Sequence, residues 1–365
     1  MADTAQKAVG DVLNSGFIGQ GPKVEEFEEE LKALLGSDYV ATTNAATSAE
    51  HLALHLMKKG FLEDGDEVLA SPLTCTATNW PILANNLKIK WVDVSEATLN
   101  MDLDDLERKI SPNTKVIFLV HWGGYPVDLD RVEKVIDKTE RLYGFRPMVI
   151  EDCAHALGSL YKGKPIGSHG NFCTFSFQAI KHITTGDGGV LVSPSHEYYV
   201  RSKLLRWYGI DRDNNKKDFR CEADIAEWGF KFHMNDIAAA IGLENLKHVN
   251  EIIETHRENA SYYDQELKEV EGIKLLERSP DAKSSFWIYS FLVDRKDEFM
   301  NHMKKCEIMV SQVHERNDTH SCVEEFRSHL PSLDKITPRL ISIPVGWWVS
   351  KEDREYIVSS IKEGW

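Results

Sequence analysis

The chain has 365 residues, 42% hydrophobic and 28% charged, a globular composition at a length that exceeds one ordinary core and favours a large unit plus a smaller one. Lys and Arg number 43 against 58 acidic residues, a net charge of −15, which argues against nucleic acid as a general partner and leaves small anionic ligands open. No apolar run approaches the roughly 20 residues that span a bilayer, and the opening MADTAQKAVGDVLNSGF lacks the basic head and apolar middle of a secretory signal, so a cytoplasmic protein without a membrane partner is expected.

KVEEFEEELKALLG predicts an amphipathic helix closed by Gly36. Strands and helices then alternate: strand YVATTN, helix TSAEHLALHLMKKG, strand DEVLASP, helix ATNWPILANN, strand IKWVDV, helix DLDDLERKI, strand KVIFLV, helix DLDRVEKVIDKTERLYG, strand MVIED. Apolar runs of four to six between helices are what a parallel sheet covered on both faces requires. Strands NFCTFSF and GGVLVS follow, then helix SHEYYVRSKLLRWYG, a polar loop DRDNNKKDFRCEAD and a long helical tract over about 235–270. Beyond it GIKLL, FWIYSFLV and IMVSQV read as strands around a helix at KDEFMNHMKKC. The last helix opens at Ser350, where SKED makes a capping box with Asp353. The pattern predicts a large α/β domain over 1–245, with a mostly parallel sheet flanked by helices, and a smaller α+β domain over 246–365. No GxGxxG follows the first strand, so a dinucleotide fold has little support. The cysteines, Cys75, Cys153, Cys173, Cys221, Cys306 and Cys322, form no CxxC pair, so reduced packing thiols are expected and no metal.

Four features fall at loops after strands, where open α/β sheets bind ligands. In NAATSAEHL a helix opens near Thr47 and Ser48, and free N–H groups there suit a phosphate, although either hydroxyl also suits an ordinary N-cap. Asp152 ends MVIED, where a carboxylate holds a cationic ring nitrogen or caps a helix. Ser176 is a hydroxyl inside the apolar strand TFSF. Lys181, in FQAIKHITTGDGG, is framed by a strand and a glycine-rich turn rather than set on a solvated surface. A phosphate cradle, a carboxylate and a framed lysine are together the parts that pyridoxal phosphate needs. The lysine bonds the aldehyde, so burial must bring its amine down from about 10.4. The carboxylate keeps the ring nitrogen protonated. At ~3 Å and an effective dielectric of ~20 that pair is worth about 5 kcal/mol before desolvation.

The segments FIGQGPKVEEFEEEL, NAATSAEHLAL, GDEVLASPLTCTATN, VIEDCAHALGSLYKGKPIGSHG, FSFQAIKHITTGDGGVLV and WGFKFHMNDIAAAIGLENL run in order through nearly the whole large domain. Together they resemble the DegT-type sugar aminotransferases of the aspartate aminotransferase superfamily, the pyridoxal-phosphate transferases of fold type I. The resemblance implies that Lys181 is the imine-forming lysine and acid/base and that Asp152 meets the ring nitrogen. It puts His155, where the family usually has glutamine, near the ring hydroxyl, and Ala46, Thr47 and Ser176 at the phosphate. Cys75 stands where many relatives carry an aromatic over the ring. FKFHMND would cross a homodimer interface to finish the neighbour's phosphate site, with Lys231 or His233 in place of the usual asparagine. VSQVHERNDTHSC loosely resembles the family's substrate loop and puts His314, Arg316 and His320 toward the sugar.

The implied reaction moves an amino group from L-glutamate, leaving 2-oxoglutarate, through pyridoxamine phosphate to a nucleotide-linked keto sugar. The 4-keto-6-deoxy class comes first and 3-keto next, in amino-sugar or surface-polysaccharide biosynthesis. A dehydratase branch of the family replaces the lysine by histidine and follows it with a second histidine. This chain shares His182 but keeps Lys181, which favours transamination. A non-catalytic, cofactor-binding regulatory protein on the same fold is the other rival, and the Lys181–Asp152 pair weighs against it.

Overall fold

The computed structural model describes residues 1–212 and 224–365, so Cys221 and most of the predicted polar loop DRDNNKKDFRCEAD lie outside the described residues. The apolar runs become the strands β1 (Val40–Thr43), β2 (Glu67–Ala70), β3 (Lys88–Trp91), β4 (Thr114–Val120) and β5 (Met148–Asp152). A short hairpin comes next, β6 (Leu160–Tyr161) and β7 (Lys164–Pro165), then β8 (Phe172–Ser176) and β9 (Gly189–Val192). Seven of these form one sheet in the order β1-β9-β8-β5-β4-β2-β3. β9 runs antiparallel to both neighbours, and the other adjacent pairs are parallel. The ends of β1, β5 and β8 and the start of β9 therefore share one edge, at Thr43, Asp152, Ser176 and Gly189.

The continuous apolar character of β4 has a direct cause. Ile117 and Leu119 join the core on one face, with Val24, Phe27 and Val132, while Val116 and Phe118 join the core on the other, with Leu52, Leu56 and Ile82. A strand covered twice has no polar side to show.

After the sheet the predicted 235–270 tract breaks into the helices Asp236–Leu246 and Val249–Glu266, because His248 between them leaves helical geometry at φ −106, ψ 0. A second sheet, β10 (Ile273–Leu275), β12 (Tyr289–Val293) and β13 (Leu340–Ile343), is antiparallel with β12 in the centre; β11 (Ala282–Lys283) instead extends the β6–β7 hairpin. Beneath this sheet Tyr263, Phe291, Phe299, Ile341 and Ile357 form a core of their own. IMVSQV is not a strand: only Ser311 bridges to Ser342, and the positive φ of Glu307 and Val313 interrupts extended backbone. The strand β13 and an N-terminal helix, Ala5–Ser15, carried no pattern that predicted them. The Ser350–Asp353 capping box forms as expected. No described helix is long and apolar enough to cross a membrane, and the five described cysteines are free.

The start of the chain is tied to a helix that comes much later. The helix Pro22–Leu35 begins at Gly21, which has no side chain to cap it. The buried carboxylate of Asp236 supplies the cap, accepting from the N–H groups of Gly21 (2.8 Å), Lys23 (3.2 Å) and Val24 (3.1 Å). Nearby, Ala2 N–H donates to Asn245 Oδ1 at 2.8 Å and Thr4 to Glu244 at 2.5 Å, which docks the N-terminal helix on the helix Asp236–Leu246.

Candidate active site

The shared sheet edge gathers most of the residues that the sequence singles out. The helix Ala46–Met57 leaves β1 there, and its N-cap is Ala45, with no side-chain cap. Neither Thr47 nor Ser48 plays the capping part. Gly189 presses against this helix end: a Cβ there would fall inside the backbone atoms of Ala45 and Ala46. Ser176 pairs in register with Gly189 across β8 and β9. An uncapped helix N-terminus, a glycine that allows close backbone approach and a neighbouring hydroxyl make a cradle for a phosphate.

Asp152, 6% exposed, accepts from Thr78 Oγ1 at 2.6 Å and from Ala154 N–H at 2.9 Å. Thr78 belongs to the helix Thr76–Ala84, whose N-cap is Cys75, so the carboxylate and the loop bearing Cys75 are tied together. Asn317, fully buried, ties in the loop that holds His314 and Arg316: its Nδ2 donates to the Thr74 carbonyl at 2.6 Å, and its Oδ1 accepts from Asn79 at 3.3 Å. Below Asp152, Glu50 is 1% exposed, its Oε1 3.5 Å from the Thr174 hydroxyl and its Oε2 without a partner among the described residues. Burial, and then the charge of Asp152, push its carboxyl well above the usual range.

Lys181 has its amine in this interior. Burial brings it down to about 8, opposed at longer range by Asp152, Cys75 and Glu50. Its Nζ lies 3.8 Å from the ring centroid of Trp287. His155 stacks on the same indole at 3.9 Å, its Nδ1 buried and unpartnered, and burial holds the imidazole neutral. His314 lies parallel to His155 at 5.8 Å, lowered to about 4 by burial and then by Lys181. His182 turns elsewhere: its Nε2–H donates to the Ser285 carbonyl at 3.0 Å, beside His256.

Three predicted residues stand apart from Lys181. Arg316 is held by Asp318 (2.8 and 2.7 Å) and Asp334 (2.5 Å), so its charge is already matched. His320 packs edge-on to Trp80 at 5.8 Å. His233 lies tilted against Trp207, ring centroids 3.6 Å apart, and is lowered to about 4 by burial first. Within its own chain the stretch around it runs beside the end of β1: Asn44 N–H donates to the Phe232 carbonyl at 2.6 Å, and its Nδ2 reaches the Lys231 carbonyl at 3.5 Å. Thr78, Glu50, Trp287 and Asn317 join the site without having been expected from the sequence. Of these only Glu50 carried a signal, as an acidic residue on the apolar face of TSAEHLALHLM.

These residues fit pyridoxal phosphate: a cradle for its phosphate, a buried carboxylate, an amine made reachable by burial, and a buried imidazole nitrogen awaiting a partner. Comparison with known proteins agrees. AtS13 from Actinomadura melliaura has a crystal structure 53% identical to this chain, with a TM-score of 0.97, over 100% of this chain and 96% of that one. The sugar aminotransferase CalS13 from Micromonospora echinospora is 46% identical, with a TM-score of 0.96, over 100% and 98%. The UDP-4-amino-4-deoxy-L-arabinose–oxoglutarate aminotransferase of Shewanella sediminis is 31% identical over 98% of this chain and 94% of its own length. Residues 1–362 match the DegT/DnrJ/EryC1/StrS aminotransferase family, and the chain belongs to it, as an aminotransferase that uses pyridoxal phosphate.

Proposed function

We propose that this family member transfers the amino group of L-glutamate to a nucleotide-linked keto sugar, of the 4-keto-6-deoxy class first and the 3-keto class next. The observation that carries the reading is the contrast between Lys181 and His182. Lys181 keeps its amine in the site, whereas His182 spends its Nε2–H on the Ser285 carbonyl and lies off the reaction path. A transaminase needs that lysine, and the dehydratase rival puts a histidine in its place. The name of the Shewanella sediminis relative, with its aminated sugar nucleotide and oxoglutarate, supports both donor and acceptor class.

Pyridoxal phosphate, when bound, supplies an aldehyde and an electron-accepting ring. In this reading the N-terminus of the helix Ala46–Met57, with Ser176, would hold the phosphate, and Asp152 would keep the ring nitrogen protonated. Cys75 would lie beside the ring, and the neutral imidazole of His155 would serve the ring hydroxyl. Lys181 Nζ would be the amine offered to the aldehyde and, when free, would move a proton at the donor's Cα. An amine lowered to about 8 exchanges a proton near neutral pH, which one at 10.5 does poorly. His314 faces the sugar. Exposed Phe17, Ile18 and Trp228 support a homodimer in which Lys231 or His233 completes the neighbour's phosphate site.

The test is a product assay. The protein is incubated with pyridoxal phosphate, glutamate and a panel of nucleotide keto sugars, and the products are weighed. The expected product gains nitrogen in step with 2-oxoglutarate. A sugar that has lost water and gained no nitrogen would establish the dehydratase instead. Cofactor bound without turnover on any sugar would establish the regulatory protein.

A further inference from the structure

Trp287 has no part in the proposed chemistry, yet much of the surrounding structure fixes its position. It is 8% exposed, and its Nε1–H donates to the Ile180 carbonyl at 2.9 Å, the residue before Lys181. The preceding residue, Phe286, sits at φ 49, in the left-handed region that side chains avoid. Ser285, fully buried, holds that turn: its N–H donates to Ser159 Oγ at 3.0 Å, its Oγ donates to the His155 carbonyl at 3.0 Å, and its carbonyl accepts from His182. Gly124, at φ 91, makes room, since a Cβ there would meet the His155 carbonyl and Ser285 Oγ at 2.6 Å. The indole is thus anchored to the lysine's own loop on one side and to the His155 loop on the other.

We propose that the indole face of Trp287 is the docking place of the Lys181 ammonium whenever that nitrogen is not bonded to cofactor, which makes Trp287 a positioning residue for the lysine. The inference rests on the reading of Lys181 as the cofactor's lysine. Among the described residues no carboxylate lies within ion-pair distance of Nζ, and Asp152, Glu50 and Cys75 act on it only from farther away. The ring face at 3.8 Å is the near attraction. A cation over an indole is favoured electrostatically, the more so away from water. Burial and the ring therefore pull in opposite directions: burial releases the proton and the indole retains it. His155 and His314, kept neutral by burial, add no competing charge. The balance leaves an amine that is held in place in both protonation states and gives up its proton near neutral pH.

The full-length, cofactor-free protein tests this without any turnover. Wild type, Trp287→Leu and Trp287→Phe are treated with trace acetic anhydride across a pH series, and acetylation of Lys181 is followed by peptide mass. Loss of the ring face should lower the half-point for Lys181 in Trp287→Leu by about one pH unit, a tenfold loss of proton affinity or about 1.4 kcal/mol. Trp287→Phe, which keeps a π face but lacks the Nε1–H, should recover part of that fall. Unchanged or raised half-points in folded variants would overturn the proposal. Should Trp287→Leu not fold, Trp287→Phe decides alone: a smaller fall supports the docking face, and none overturns it. A role in packing alone would change melting temperature and leave the half-point in place. If borohydride-fixed cofactor maps to another lysine, the proposed function fails, while the acetylation profile still reports on this pair.

Discussion

The helices Pro22–Leu35 and Ala46–Met57, like several others in this protein, begin without a side-chain cap of their own, and these two are completed in opposite ways. The helix Pro22–Leu35 receives the carboxylate of Asp236, more than 200 positions away, on three of its first N–H groups. The helix Ala46–Met57 starts at Ala45, with the Gly189 backbone against it and no side chain turned back on it. The first supports the fold and is finished from within. In the proposed reading the second leaves its positive end for an anion brought from outside. In that reading the pair sets scaffold beside site.

The comparison can be broken most severely at Gly189. A Cβ there meets backbone rather than a flexible side chain, and such overpacking costs about 1–3 kcal/mol. Gly189→Ala should weaken cofactor binding by up to about 100-fold, measured by titrating cofactor absorbance. Near-normal affinity would mean that the cradle lies elsewhere.

Lys181 tests the other end of the site. Its amine is at about 8 when folded and ordinarily at 10.5, so between these values the unfolded chain binds the extra proton and stability rises with pH. Cofactor-free Lys181→Met should therefore be more stable than wild type below pH 8, by up to about 3 kcal/mol. The gap should close as pH approaches 10.5 in denaturant titrations, and a gap that stays constant with pH would show that desolvation of the amine is not its source. The same variant should neither turn over nor take up borohydride-fixed cofactor.

At the helix finished from within, Asp236→Ala should cost about 2 kcal/mol of stability, the toll of orphaned buried N–H groups, while cofactor affinity per folded molecule holds. Should affinity fall as far as in Gly189→Ala, the division between scaffold and site would be lost. The smallest effect is expected at Asp152→Asn: cofactor retained, kcat down at least tenfold, about 1.4 kcal/mol. Unchanged kcat would reduce Asp152 to a partner of Thr78.

What could be read from the sequence divides along the same line. The floor of the site, from Ala46 and Thr47 through Asp152 and Ser176 to Lys181, lies at strand ends, where short local patterns mark both the element and its chemistry. Those patterns mark the succession of strands and helices along the chain, though not their order in the sheet, and the last helix's capping box, from residues three apart. The wall over that floor was less visible. Trp287 looked like one more apolar residue of a strand, because its function depends on a left-handed turn at Phe286 and on anchors from Ser159 and His155, which no local pattern encodes. Arg316 reads as available for a substrate because no local pattern marks its pairing with Asp318, two positions on, and Asp334 lies 18 positions on. The break at 247–248 escaped because apolar periodicity runs through it, and the N-terminal helix because its partner begins more than 220 residues later.

That last separation matters while the chain is being made. The first two dozen residues find their anchors, Asp236, Glu244 and Asn245, only after some 220 further residues exist. At roughly 5–20 residues per second this is a wait of about 10–40 s. Throughout it the leading segment trails from the nascent protein as an undocked arm, and the large sheet can pair most of its strands before the arm is fastened. Its docking waits on the emergence of one helix from the ribosome, with some 120 residues of the chain still to follow.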